Sequence, residues 1–104
     1  MIYGRCMGKD EAKALKREGA LEDTNGQMIP TFGFTNKVYQ ILTQMSGDAT
    51  RRFFRGIGVR NPDEVVIFET DAMPAVGPIP QRNGLYEYKF NPGTPVLIRD
   101  RLRI

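Results

Sequence analysis

Two groups of side chains in this sequence have types and spacings that chemistry could use. Glu69 and Asp71 stand two residues apart at the end of a predicted strand, so their carboxylates would share one face and could act as an acid–base pair. Arg51, Arg52 and Arg55 surround two phenylalanines, and basic residues interleaved with aromatics can hold a nucleic-acid backbone and stack bases. Both patterns also fit ordinary structure, a surface strand and a helix with one solvated face, and we favour that interpretation for each.

Other chemistry is excluded by what the sequence lacks. It contains no histidine and a single cysteine, Cys6, which rules out Ser–His and Cys–His catalysis, histidine-dependent nucleases, an internal disulfide and a thiolate or imidazole metal cluster. Cys6 has no base near it in sequence, so we interpret it as a small buried apolar residue. Gly56-Ile57-Gly58 begins like a dinucleotide fingerprint, but Asn61 takes the place of the last glycine.

Length and composition predict one small globular domain over residues 1–104. The chain is 40% hydrophobic and 26% charged, which is typical of a protein with a packed core. Its net charge of +3 weakly favours nucleic acid or an acidic protein surface as a partner. No apolar run approaches the roughly 20 residues of a membrane span, and the start lacks the pattern of a signal peptide.

Strands are predicted where β-branched and aromatic residues cluster. The strongest is Val65–Thr70, and shorter ones are expected at Ile2–Tyr3, Thr31–Phe34 and Leu85–Phe90. Val96–Ile98 is expected to pair with Leu85–Phe90 as a terminal hairpin. With the helices below, this predicts an α+β domain.

Helices are predicted in two places. Lys9–Glu18 contains strong helix formers, with Gly19 placed to end the helix. Thr35 could cap a second helix, whose apolar face is Val38, Ile41, Leu42 and Met45. Ser46-Gly47 is expected to break it, with further helical turns over 51–55.

The segment Asp71–Asn83 is predicted to be a long irregular loop. It holds three prolines and a glycine and has little apolar surface to bury. Loops of this length inside a small domain are usually functional.

A series of short motifs runs along most of the chain. They are Tyr3-Gly4-Arg5-Cys6-Met7 with Glu11, Leu15 and Gly19; Thr31 to Thr35; Ser46-Gly47-Asp48-Ala49 with Arg51-Arg52; Val65 to Glu69; and Gly84 to Glu87 followed by Pro95-Val96. In this order and spacing the series resembles the C-terminal toxin domains of Rhs-type polymorphic toxins, in the subgroup that looks like an ADP-ribosyltransferase.

The resemblance implies a small split, mixed β-sheet with two or three short helices around a cleft that binds NAD as a substrate, with no metal. Such domains carry an arginine on the first strand, a Ser or Thr on the next, and a glutamate beside a target-recognition loop. Arg5, Thr35 and Glu87 occupy those places. Glu87 would stabilise the oxocarbenium-like state, Arg5 would hold a phosphate or ribose, and Thr35 would orient Glu87. Tyr39 or Phe53 could stack on the nicotinamide.

Each of these residues also has an ordinary structural interpretation. Arg5 could be a surface ion-pair partner, Thr35 a helix cap, and Glu87 a cross-strand partner of Arg99 or Arg101. These alternatives stay open on sequence alone.

The acceptor of the ADP-ribose is also open. Transferases that modify arginine often carry a Glu or Gln two residues before the catalytic glutamate, and here that position is Leu85. The acceptor could therefore be a protein side chain, RNA or water, and Gln81 and Arg82 in the preceding loop could select it.

The function expected from the resemblance is that of an antibacterial toxin domain. It would modify a translation component, act as a monomer, be secreted within a larger toxin and delivered to the cytoplasm of a target bacterium, and be neutralised by a cognate immunity protein; no membrane partner is expected. The alternative is a histidine-free RNA-cleaving or RNA-binding toxin domain that uses Lys37 and the 51–55 arginines. A third possibility is an interaction module without catalysis.

Overall fold

A computed structural model describes residues 2–22, 25–59, 63–81 and 85–103. In chain order the elements are β1 (Ile2–Met7), α1 (Lys9–Glu18), β2 (Ile29–Phe34), α2 (Asn36–Gln44), α3 (Gly47–Gly56), β3 (Glu64–Glu69), β4 (Val76–Pro80), β5 (Tyr86–Phe90) and β6 (Leu97–Arg103).

The strands form one sheet in the order β4-β5-β2-β1-β3-β6. With three helices packed on it, this confirms the predicted α+β class. Every pairing between these strands is antiparallel, which differs from the mixed sheet that the resemblance implied. The chain reverses its direction between β1 and β2, so that Phe34 at the end of β2 lies opposite Ile2 at the start of β1.

Helices cover both faces of the sheet, which therefore has two cores. Tyr3 and Met7 of β1 point to the face covered by α1, while Ile2 and Cys6 point to the face covered by α2 and α3. The central strand β3 is buried on both faces, since Val65 to Phe68 are at most 1% exposed. The continuous apolar run that predicted this strand is what a strand buried on both sides requires.

The helix predictions agree with the structure at their starts and stops. Gly19 ends α1 in the left-handed conformation, with φ of 67°. The Thr35 hydroxyl accepts a hydrogen bond from the Val38 N–H at 3.2 Å and caps α2. Ser46 caps α3 in the same way, so the predicted break at Ser46-Gly47 is also the start of the next helix. That helix begins at Gly47, four residues before the helical turns predicted over 51–55. In the described ranges, no helix is long and apolar enough to cross a membrane.

Two strand predictions were wrong. The predicted loop Asp71–Asn83 contains β4, which holds Pro78 and Pro80; prolines are tolerated there because β4 is an edge strand. The predicted terminal hairpin does not form, because β6 pairs with β3 at the opposite edge from β5. After the 91–93 turn, the chain pairs with the end of α1 through Ala20 and Pro95, and this contact carries it across the sheet.

Gly4 is a position where the sheet leaves no room for a side chain. A Cβ at Gly4 would overlap the Phe34 ring and lie 3.2 Å from Cδ1 of Ile67. We expect Gly4→Ala to lower the free energy of unfolding by about 1–3 kcal/mol, the usual cost of overpacking. Gly56→Ala is the control, because nothing lies within 4 Å of its Cβ position. Urea titrations of both variants test this, and equal stability of the two would contradict the packing described.

The thiol of Cys6 is expected to be unreactive in the folded protein. Burial raises its pKa from 9.0 to about 12, outweighing the nearby Arg5 charge, so the thiolate fraction near pH 8 falls about 1000-fold. Because the folded pKa is the higher one, the unfolded state loses its proton first and stability declines as pH rises from about 9 to 12. Alkylation rates in native buffer and in urea check this; equal rates would refute it.

Candidate functional site

Thr35 lies at the end of the sheet where the register brings six strand ends together. Phe34 of β2 stands opposite Ile2 of β1, and Glu69 of β3 stands opposite Leu97 of β6. The last residues of β2, β3 and β4 therefore lie beside the first residues of β1, β5 and β6. We call this edge the Thr35 end.

An apolar cleft of about 300 Å³ opens over β2, β4 and β5 at the Thr35 end. It is lined by Gly33, Phe34, Thr35, Val38, Pro78, Leu85, Tyr86 and Tyr88. Gly33 pairs with Tyr3 on one side and Tyr86 on the other, so a residue without a side chain lies between two tyrosines on the same face. Tyr86 is 47% exposed, although it is a large aromatic residue. A cleft with this lining can accept a planar ring.

The inner wall of the apolar cleft is fixed by an aromatic cluster. The Tyr3 ring contacts Tyr88 edge-on at 5.5 Å and Phe90 at 5.0 Å, and stacks with Phe68 at 5.8 Å. Burial and the neighbouring Tyr88 raise the pKa of Tyr3, so its phenol stays neutral around pH 7. This wall is therefore uncharged and packed in place.

A second, charged cleft of about 570 Å³ lies over β1, β3 and β6. It is lined by Ile2, Phe34, Thr35, Asn36, Glu69 and Arg99. Arg99 donates to Glu69 at 2.7 Å, and both side chains are nearly half exposed. Arg99 is the extra residue of a β-bulge, since Ile67 pairs with Asp100 and Phe68 with Ile98. The charged cleft thus offers a guanidinium and a carboxylate to a ligand.

The two clefts share Phe34 and Thr35 as lining residues and so adjoin at the Thr35 end, and we call the pair the groove. A third depression of about 320 Å³ continues beyond Glu69 and includes Asp71. Of the carboxylate pair predicted from sequence, Glu69 is ion-paired with Arg99, and both members line this depression. The groove therefore has an apolar aromatic end and an end that carries the guanidinium of Arg99 and the carboxylates of Glu69 and Asp71.

The structure does not bring the three residues of the implied site together. Thr35 lines both clefts, and its predicted role as the cap of α2 is confirmed. Arg5 lies towards the other end of β1, on the α1 face, where it donates to Glu11 and to the Pro30 carbonyl, both at 2.8 Å. Glu87 is half-buried and pairs with Phe32, so its side chain is on the α2–α3 face and lines none of these clefts.

The other aromatic candidates pack into the core. Tyr39 donates to Asp100 at 2.9 Å, and burial followed by this hydrogen bond raises its pKa. Phe53 packs edge-on against Phe54 at 5.2 Å, and Phe54 is fully buried. Neither Tyr39 nor Phe53 lines the groove.

Sequence reasoning missed Tyr86 and Arg99 as groove residues. Tyr86 could have been found because Tyr86 and Tyr88 are two residues apart and so share one face of a predicted strand. Arg99 could not, because its position depends on a β-bulge that no sequence pattern indicates. The backbone N–H of Gln81 donates to the Leu85 carbonyl at 2.9 Å, while Arg82 lies outside the described residues. Across the described part of the chain, no group of three metal-ligating side chains occurs.

Comparison with known proteins adds no relative. No protein-family model, curated protein or solved structure matches this chain.

The position of Arg5 predicts a structural effect when it is replaced. Arg5 uses two different nitrogens for Glu11 and Pro30, whereas lysine would have to reach both acceptors from one nitrogen on a flexible chain, so Arg5→Lys should cost about 1–2 kcal/mol of stability. Arg99→Lys alters an exposed pair and should change stability by less than about 1 kcal/mol. Thermal melts of both variants measure this. If the melting temperature of Arg5→Lys equals that of wild type, the hydrogen bonds of Arg5 do not contribute to stability.

Proposed function

We propose that this domain is an NAD-dependent ADP-ribosyltransferase that binds NAD along the groove at the Thr35 end. The observation that carries the proposal is the meeting of an uncharged aromatic cleft and a charged cleft at Thr35. NAD has the same division, a planar nicotinamide linked through ribose to a pyrophosphate. A small ligand site is typically apolar with a few placed polar groups, and this groove fits that description.

In the proposed complex the nicotinamide ring enters the apolar cleft against Tyr86. Gly33, which has no side chain, pairs with Tyr86 and forms part of the cleft wall, and Pro78 and Leu85 complete the walls. The ribose next to the ring then lies at Thr35, where a hydroxyl can pair with the sugar. The pyrophosphate lies over Arg99, whose planar fork suits phosphate oxygens.

The reaction needs a carboxylate near the ribose. When the bond between the nicotinamide nitrogen and ribose C1′ breaks, its electron pair leaves with the ring, which becomes neutral, and positive charge develops on the sugar. The acceptor then attacks C1′ and loses a proton, giving ADP-ribosylated acceptor and nicotinamide. A fixed carboxylate stabilises the cation, and Glu69 is the carboxylate that lines the groove beside Thr35.

Ligand binding would also change the surroundings of Glu69. Arg99 holds this carboxylate at 2.7 Å, and a bound phosphate competes for the same guanidinium. As Arg99 turns to the phosphate, Glu69 gains the freedom to face the ribose. The exposed ion pair is weak enough for this exchange.

The order of residues along the chain supports the same family of reactions but a different carboxylate. Arg5 lies on β1, Thr35 directly follows β2 and Glu87 lies on β5, as the resemblance implied. Glu87 is thus the rival catalytic residue, although it lines none of the described clefts.

The biological setting follows from the resemblance. We propose that the domain reaches the cytoplasm of a target bacterium within a larger secreted toxin, modifies a component of translation, and is held inactive in the producer by an immunity protein. Bacteria that express the wild-type domain should stop growing, while an inactive groove variant should be tolerated. Growth that continues with folded, NAD-consuming protein would exclude this role.

The groove predicts which carboxylate supports turnover. Glu69→Gln keeps the shape of the side chain but removes the charge, so NAD turnover should fall about 100-fold, equivalent to roughly 3 kcal/mol of transition-state stabilisation. Glu87→Gln should stay within a few-fold of wild type. The measurement is nicotinamide release, with melting curves to show that both variants fold.

The opposite pattern would move the catalytic carboxylate to β5. If Glu87→Gln is folded and inactive while Glu69→Gln turns over normally, the groove assignment fails although the transferase proposal survives. If the wild-type domain consumes no NAD with any bacterial lysate present, the proposed function itself fails.

A further inference from the structure

The positive charge of this protein is concentrated in one layer. Residues 36–59, which contain α2 and α3, hold four basic side chains and one acidic one, an excess of three. The whole chain has a net charge of +3. The other parts of the sequence are therefore balanced, and the excess belongs to the helices on one face of the sheet.

Three of these cations are available to a partner. Lys37, Arg52 and Arg55 are exposed, and in the described ranges they form no ion pair or side-chain hydrogen bond. Arg52 and Arg55 are three residues apart on α3, so they share the outer face of that helix. By contrast, Arg5, Arg99 and Arg101 are each held by a glutamate.

The same surface also presents an apolar side chain. Ile41 is 51% exposed on the outer side of α2, one turn after Lys37. Of the aromatic residues of α3, Phe54 is fully buried and Phe53, which packs edge-on against it, is half-buried. Base stacking uses exposed rings, whereas a protein interface combines an apolar contact such as Ile41 with a charged rim.

The α2 part of this surface lies beside the groove, because α2 also contributes to the groove wall. Val38 of α2 lines the apolar cleft, and Thr35 caps the same helix. A partner seated on the outer side of α2 would therefore lie next to the groove without filling it.

We propose that the α2–α3 surface, defined by Lys37, Ile41, Arg52 and Arg55, docks an acidic protein. Complementary charge steers such a partner and speeds association, and Ile41 supplies the apolar contact. The proposal does not depend on NAD chemistry, since it uses none of the groove residues.

The test uses a charge-matched pair of variants. Lys37→Glu/Arg52→Glu/Arg55→Glu reverses the proposed surface, and Lys9→Glu/Lys13→Glu/Lys16→Glu reverses three exposed lysines on α1, on the other face of the sheet. The probe is an acidic amphipathic helical peptide with a leucine face, and a single-stranded RNA of equal charge is the comparison. Binding is followed by fluorescence anisotropy at two salt concentrations, and the contact surface by amide chemical shifts.

We expect the peptide to bind wild type, to shift amides of α2 and α3, and to bind the α2–α3 variant about tenfold more weakly. The α1 variant should bind the peptide close to wild type. If both variants lost the same affinity for the peptide, the loss would come from the changed net charge and not from a specific surface, and the proposal would be overturned. Failure of the peptide to bind wild type, or tighter binding of the RNA through the same residues, would overturn it as well.

Discussion

The register of β2 between β1 and β5 decides what the Thr35 end of the sheet can bind. It places Gly33 between Tyr3 and Tyr86 and sets Phe34 beside Ile2. A shift of one residue would turn every side chain of β2 to the other face, filling the apolar cleft with a phenylalanine and removing its floor. The lack of space at Gly4, where the Phe34 ring packs, holds this register in place.

The same register explains why the implied site is divided. Tyr3 and Tyr86 lie on the same face of the sheet, because both pair with Gly33. Arg5 is two residues from Tyr3 on β1 and so shares that face, whereas Glu87 is one residue from Tyr86 on β5 and lies on the opposite face. Arg5 instead bridges the place where β1 and β2 separate, by binding the Pro30 carbonyl and Glu11. Order along a chain identifies which strands carry polar residues, but the pairing decides which face each residue occupies.

The sequence was informative where local signals controlled the structure. Gly19 and Thr35 marked helix ends because a left-handed residue and a capping hydroxyl act within a few bonds, and the apolar run of β3 indicated burial on both faces. The strand β4 was not predicted because its prolines argue against a strand, and they are tolerated only where a strand lies at a sheet edge. The place of β6 depended on the contact of Pro95 with Ala20, which no local pattern encodes. Thr35 was therefore predictable as a helix cap, whereas the place of Arg99 depended on a bulge formed by that distant pairing.

The most direct test of the account is where NAD binds. Titration of the isotope-labelled domain with carba-NAD, whose bond to nicotinamide resists cleavage, can be followed by amide chemical shifts without turnover. The account predicts that the largest shifts fall at Gly33, Thr35, Tyr86 and Arg99, with little change at Arg5. Shifts centred on Arg5 or Glu87, or no saturable shift at all, would contradict the assignment of the groove at the Thr35 end.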